Sequence, residues 1–219
     1  MAEQTGLYRY SGKMFNTVGA RWRKNRDVVK FWKGAKKGRT LPLSMKKQIA
    51  RMTALGELSC ILYPAYMLGM GKFAKRRQMS ENNLFVKENM PAVSADSSLA
   101  VSIDFAKIKL SKGHLPMVLF SQADFSTPQT VKISFGSAAG VEGASEEDKV
   151  YVAVYCPTSG GIVLSRPVTR ASDGIRVTLP DDWNGLEVKV WGWAIGDQPN
   201  DRNDGEASDC TFLGSGTVN

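Results

Sequence analysis

An α+β fold is expected for these 219 residues, with a basic N-terminal region of short strands plus helices followed by an all-β domain. Three observations lead there. From about residue 99 apolar and polar residues alternate with period two, as in Val101, Ile103 and Phe105 against Ser102 and Asp104, the mark of half-buried strands. Upstream, the stretch from Met45 to Lys87 reads as helical. The charge also changes sign along the chain: up to Met90 there are 19 Lys/Arg against 5 Asp/Glu, a net of +14, and the remainder carries 10 against 16, a net of −6.

The elements follow in order. In Gly6 to Trp32, the glycines Gly6, Gly12 and Gly19 break any 3.6-residue periodicity and Val28-Val29-Lys30-Phe31-Trp32 favours strand, so a small hairpin or an extended arm is expected. Lys33 to Arg39 reads as a solvated basic loop. Thr40 or Ser44 then caps a helix running from about Met45 to Leu55 or beyond. Pro64 and Gly69-Met70-Gly71 are expected to divide the helical region. A second helix is placed over Lys72 to Lys87, with Phe73, Met79, Leu84 and Phe85 on an apolar face and Lys75, Arg76 and Arg77 in water. Met90 to Ser98, rich in Ala, Ser and Pro, marks the boundary between residues 1–98, the basic arm and helical region, and residues 99–219.

In the second part strands are expected at Val101 to Phe105, Val131 to Phe135, Val150 to Tyr155, Ile162 to Ser165, Ile175 to Leu179, Leu186 to Ile195 and Asp209 to Val218. Seven short strands with turn signals between them are the pattern of an immunoglobulin- or fibronectin-like sandwich, and a barrel of equal strand count is the rival. In the sixth strand Leu186, Val188 and Val190 face inward while Glu187, Lys189 and Trp191 face out. Gly192 is read as a bulge that turns Trp193 inward.

Most reactive chemistry lacks its residues. The single histidine, His114, stands in Ser-Lys-Gly-His-Leu-Pro with no nucleophile at a recognisable spacing. Cys60, Cys156 and Cys210 form no CxxC pair and are read as small buried apolar residues. Glu146-Glu147-Asp148 and Asp181-Asp182 read as solvated turns, and the glycines at 136–140 and 159–161 lack a phosphate-cradling frame. Asp201, Asn203 and Asp204 resemble a calcium loop but miss the EF-hand spacing. No enzyme, metal or cofactor is expected. Met52 to Gly71 is too short in its charge-free part, and too interrupted by Pro64 and glycine, to span a membrane. Met1 to Tyr10 lacks the apolar core of a signal peptide, so a cytoplasmic location, or one within an assembled particle, is expected.

The strongest local signal is cations interleaved with aromatics: Arg21, Trp22, Arg23, Lys24, Arg26, Lys30, Trp32, Lys33, Lys36, Lys37 and Arg39. Such a stretch neutralises phosphates and stacks on bases, or docks on an acidic protein neighbour. The plain alternative is an amphipathic hairpin with its aromatics in a core and its cations in water.

The sequence also resembles a known family at positions spread along the chain. These are Gly6 with Ser11-Gly12-Lys13 and Gly19, then Thr40, Gln48 and Arg51, then Leu110-Ser-Lys-Gly-His-Leu-Pro116, Asp148-Lys-Val150, and Ser208 with Phe212-Leu-Gly214. Their order and spacing resemble the uncharacterised Bacteroidota family catalogued as domain of unknown function 6266. That resemblance implies a family without an assigned activity and supplies no catalytic residues. The chain departs from the family pattern in its dense basic run, Arg21 to Arg39, and in Met52 to Gly71. The functional expectation is a structural or interaction protein, an oligomer whose basic arm docks on acidic neighbours in an assembly such as a phage virion. The alternative is a nucleic-acid-binding accessory protein using the same arm.

Overall fold

The computed structural model describes residues 40–136, 141–197 and 205–219 in full and, of residues 1–39, the backbone of four strands. The chain forms two compact units, Met1–Pro42 and Leu43–Asn219. In the first unit, β1 (Ala2–Glu3), β2 (Gly12–Met14), β3 (Thr17–Trp22) and β4 (Arg26–Phe31) make an antiparallel sheet of order β1-β4-β3-β2.

The second unit opens with one long helix, α1 (Leu43–Arg76), which continues through Pro64, Gly69 and Gly71. The expected division of this region does not occur. Proline removes a helical hydrogen bond, but Leu62, Ala65, Tyr66 and Met70 on either side are buried and their packing outweighs the local penalty. Gly69 serves close approach instead of a break: a Cβ there would meet Leu110 O at 2.5 Å and Ser111 Cβ at 2.4 Å, and its carbonyl accepts from Lys112 N at 3.1 Å. The true break lies at Arg77–Ser80, where Gln78 takes φ 54°. Ser80 then caps α2 (Glu81–Asn89) by accepting from Asn83 N, so Phe73 belongs to α1 and only Leu84 and Phe85 carry the buried apolar face of α2.

Past a short hairpin of β5 (Val93–Ala95) and β6 (Val101–Ile103), the remaining strands form two sheets. β7 (Asp124–Thr127), β8 (Thr130–Ser134) and β12 (Gly174–Thr178) pair in the order β12-β8-β7. β9 (Lys149–Cys156), β10 (Gly161–Leu164), β13 (Glu187–Ile195) and β14 (Thr211–Thr217) pair in the order β10-β9-β13-β14, with β11 (Val168–Thr169) also on β9. Val131 and Ile133 of β8, Ile175 and Val177 of β12, Val150, Val152 and Val154 of β9, and Val188 and Val190 of β13 share one apolar cluster between the sheets.

The larger sheet is covered on both faces. Ala153, Tyr155, Trp191 and Trp193 point away from the inter-sheet cluster into a second one, built with Leu55, Leu58, Leu62 and Tyr66 of α1 and Leu84 and Phe85 of α2. Trp191 therefore does not face water. It lies on the face of the larger sheet turned away from the inter-sheet cluster, as its alternation requires, but under the helices, and is fully buried together with Trp193. β13 stays in phase against β9 throughout. The irregularity falls on β14, where the pairing steps from Val190↔Gly214 to Trp191↔Phe212 and Gly214 adopts φ 116°. Gly192 instead leaves room for the Phe120 ring, which a Cβ would meet at 2.7 Å. Because the helices and this sheet share a core, residue 98 falls inside one compact unit.

Candidate functional site

Of the eleven basic and aromatic residues singled out in the arm, Arg21 and Trp22 end β3 and Arg26 and Lys30 lie in β4. Their backbone register sets Trp22 against Arg26, Arg21 against Asp27 and Val18 against Lys30. The hairpin thus brings four of the residues to two adjacent strands. Arg23, Lys24, Trp32, Lys33, Lys36, Lys37 and Arg39 lie outside the described residues, as do Asp201, Asn203 and Asp204 of the calcium-like loop.

In the second unit, most polar groups that the sequence marks out are engaged in holding elements together. Arg51 donates to the carbonyls of Met90, at 2.6 Å, and Val93, at 2.7 Å, and its neighbour Gln48 accepts from it. Ser111 Oγ donates to Ser208 O, and Ser208 Oγ accepts from Ala194 N. Gly113 abuts Ala207, whose carbonyl accepts from Leu115 N. Asn89, fully buried, donates to Phe85 O and Lys109 O and accepts from Lys109 N. These bonds pin the extended segment 108–116 between the helices and the start of β14.

Two acids are buried against the sequence pattern. The turn-like context of Asp148 predicts a solvated carboxylate, yet it and Arg170 are both almost fully enclosed, with Arg170 Nε 3.5 Å from Asp148 Oδ2. Asp148 accepts from Ser145 N, and Arg170 donates to Pro116 O. Burial pushes the Asp148 carboxyl above its usual range, against the lowering effect of Ser145 and the Arg170 charge, and burial lowers the Arg170 value. The second acid, Glu206, accepts from Arg76 at 2.7 Å, with Lys72 at 4.0 Å. Around it Arg77 and Lys112 lie over the Phe73 ring, so part of the Lys72 to Arg77 basic run is engaged within the protein.

A cleft of about 300 Å³ lies between α2 and β14, lined by Glu88, Lys107, Lys109, Cys210 and Phe212 among others. Its charges are matched internally: Lys107 pairs with Asp104 and Lys109 approaches Glu88. Burial pushes the Cys210 thiol up, away from the reactive thiolate. Cys156 is buried as expected, whereas Cys60 is exposed on α1, contrary to its reading as a core residue. His114 is exposed, with its ring against Phe73. Among the described residues no group of three or more His, Cys, Asp or Glu is placed to hold a metal ion, and no helix is long and apolar enough to cross a membrane.

The profile of a family of unknown function, DUF6266, matches residues 62–204. The chain belongs to that family. No curated protein and no solved structure matches it. The DUF6266 match begins within α1 and leaves outside it the basic arm and the resembling positions before residue 62 and after residue 204. Within the matched span the residues that carry the resemblance, Leu110 to Pro116 and Asp148, are those with structural partners described above.

Sequence reasoning does not single out the exposed apolar residues of α1. The signal is present in the spacing of Met45, Ile49 and Met52, but a single apolar face is enough to explain a helix that packs on a core, and the pattern does not separate two faces from one.

Proposed function

We propose that this chain is a non-enzymatic structural and interaction protein, a helix-backed β-sandwich carrying a basic arm that docks on acidic neighbours in a multi-subunit assembly such as a phage particle. The observation that carries the reading is where the charge sits relative to the two compact units. Met1–Pro42 holds 11 Lys/Arg against 2 Asp/Glu, a net of +9, and Leu43–Asn219 holds 18 against 19, a net of −1. A small unit that holds all of the chain's excess positive charge suits an electrostatic contact that sets orientation and encounter rate.

The sandwich is read as fibronectin-like. Its sheets run β12-β8-β7 and β10-β9-β13-β14, the order of a seven-strand sandwich in which the first, second and fifth strands face the third, fourth, sixth and seventh. Such modules serve widely as rigid spacers and binding platforms. The engagement of Ser111, Asp148, Ser208 and Glu206 in internal bonds leaves these polar groups holding the fold together, which supports a scaffold over an active site.

The experiment is the variant Arg21→Ala, Arg23→Ala, Lys24→Ala, Arg26→Ala. The expected outcome is a folded protein that loses association with an acidic protein partner, while the wild type shows no affinity for DNA or RNA at low salt. Wild-type binding to nucleic acid, with a salt slope that drops by roughly 0.7–0.9 for each phosphate-neutralising cation removed in the variant, would replace the reading with the nucleic-acid one. Unchanged association in the variant would remove the arm from the function altogether.

A further inference from the structure

Helix α1 carries apolar residues on two separate faces. One, through Leu55, Leu58 and Leu62, enters the core. The other carries Met45, Ile49, Met52 and Tyr63, each between 44% and 51% exposed, together with Gly56 and the exposed Cys60. At 100° per residue these six fall in one stripe, displaced by roughly 120° around the helix from Leu55, Leu58 and Leu62 and about 27 Å long at 1.5 Å per residue. The steps of four, three and four from Met45 through Ile49 and Met52 to Gly56 are those of a coiled-coil seam.

Gly56 is the informative member. Glycine inside a helix is destabilising relative to alanine, and at Gly69 the fold explains it through close contact with Leu110 and Ser111. At Gly56 a Cβ would meet nothing within 4 Å. The packing of this chain gives no reason for the missing side chain, which leaves a notch in the seam facing solvent.

We infer that a second copy of the chain covers this face, with the two α1 helices antiparallel and a two-fold axis near Thr53–Ala54–Leu55. The stripe is complementary to itself when turned end for end. Met52 of one copy then falls opposite Gly56 of the other and fills the notch, Met45 falls opposite Tyr63, and Ile49 falls beside Cys60. Charge selects the same arrangement. Lys46 and Glu57 lie on one flank of the stripe, and in the antiparallel pair Lys46 of each copy comes within about five residues, ~7.5 Å along the axis, of Glu57 of the other. A parallel pair would set Gly56 against Gly56, leaving the notch unfilled, and would put Lys46 and Glu57 of each copy on the opposite side of the seam from those of the other, so that the attraction between them is lost. The cations from Lys72 to Arg77 lie beyond the paired stretch. Two-fold self-contact is the commonest route to an oligomer, and a seam this short belongs to the small end of specific interfaces, so a reversible dimer is expected. The inference rests on α1 alone and is independent of the basic arm.

The test is light scattering on the full chain across roughly 1 to 500 μM, where micromolar dissociation constants are read, with oxidative cross-linking. The expected result is a mass that rises to twice the chain mass with concentration. Met52→Glu abolishes the rise, and Gly56→Leu does so while raising the melting temperature, an outcome that a purely internal role for Gly56 would not give. Thr53→Cys in a Cys60→Ser background cross-links readily, being next to the axis. The native Cys60 does not, since its own copy lies about 18 Å away along the seam. A monomer at every concentration overturns the inference, as does a dimer that survives both substitutions or cross-links through Cys60. Binding of a monomer to anionic vesicles that Met52→Glu removes would assign the face to a lipid surface instead and equally overturn it.

Discussion

Arg76, in the last turn of α1, donates to the buried carboxylate of Glu206 at 2.7 Å and ties the helix to the segment entering β14. The pair is lopsided, because the Glu206 side chain is 2% exposed while that of Arg76 is 48% exposed. Removing the arginine strands a charge, whereas removing the acid releases a cation to water. Arg76→Ala is therefore expected to cost about 2–3 kcal/mol, below the usual ~3–5 for breaking a buried pair because Lys72 stays 4.0 Å away. Glu206→Gln is expected to cost less, roughly 1–2 kcal/mol. Urea unfolding of both variants checks the order, and equal costs would mean that Glu206 is better solvated than its burial indicates.

Gly69 and Gly71 make an internal control on one helix. Alanine at Gly69 forces its Cβ against Leu110 O and Ser111, backbone that yields only if α1 moves away and the bond from Lys112 N to Gly69 O breaks. A loss of about 1–3 kcal/mol follows from overpacking. At Gly71 the space is open, and Gly71→Ala is expected to stabilise by roughly 0.5–1 kcal/mol through helix propensity. Thermal melts that move in opposite directions support the distinction; a stabilising Gly69→Ala would contradict the close approach.

The fold is legible in the sequence where one face of a strand meets a core and the other does not. Alternation places β8 and β12 almost to the residue, because each has one face toward the inter-sheet core and the other largely exposed. It misplaces Trp191 with respect to solvent, since alternation gives direction and cannot say that a helix covers the far face. The clue lies in Val150-Tyr-Val-Ala-Val-Tyr-Cys156, where no polar residue other than tyrosine alternates with the valines, as expected of a strand buried on both sides. β7, with Asp124, Ser126 and Thr127, is a polar edge strand with little apolar signal. The breaker reading of Pro64 and Gly69 fails because tertiary packing outweighs local propensity. The enclosure of Asp148 and Glu206 depends on Arg170 and Arg76, partners far along the chain that no local pattern reveals.

The Asp148–Arg170 pair predicts a pH dependence. Burial already raises the folded-state value of Asp148 above its usual 3.8, and the Arg170 charge opposes the rise. Arg170→Met removes that opposition and raises the folded value further, leaving the unfolded value unchanged. Below the unfolded value the carboxyl is neutral in both states and the variant loses little through this group. As pH rises through the raised folded value, an ionised buried carboxylate without its cation destabilises the folded state. Arg170→Met is thus expected to cost ~3–5 kcal/mol near pH 7 and less near pH 4. Denaturant titrations at the two pH values read the difference, and a cost that is flat or greater in acid would refute the assignment. Asp148→Asn, which cannot ionise, should show no such slope from this position.

The last prediction concerns what the two larger sheets need in order to fold. A fragment of residues 99–219 retains both sheets and the cluster between them, which favours autonomous folding. It also uncovers the outer face of the larger sheet, where Tyr155, Trp191 and Trp193 pack under α1 and α2. Three aromatics at 150–250 Å² each represent on the order of 500 Å², or about 12 kcal/mol at 25 cal/mol/Å². Phe105 and Phe212, which remain in the fragment, contact Trp191 and keep part of that area covered. Even if half survives, the loss of about 6 kcal/mol reaches the lower end of a whole domain's stability, roughly 5–15 kcal/mol. Residues 43–219 are therefore expected to unfold in one cooperative transition. Residues 99–219 alone are expected to lose that transition or to bind an apolar dye strongly, while a fragment with the stability of the longer one and no dye binding would show that the helices are an accessory to the two sheets and not part of their core.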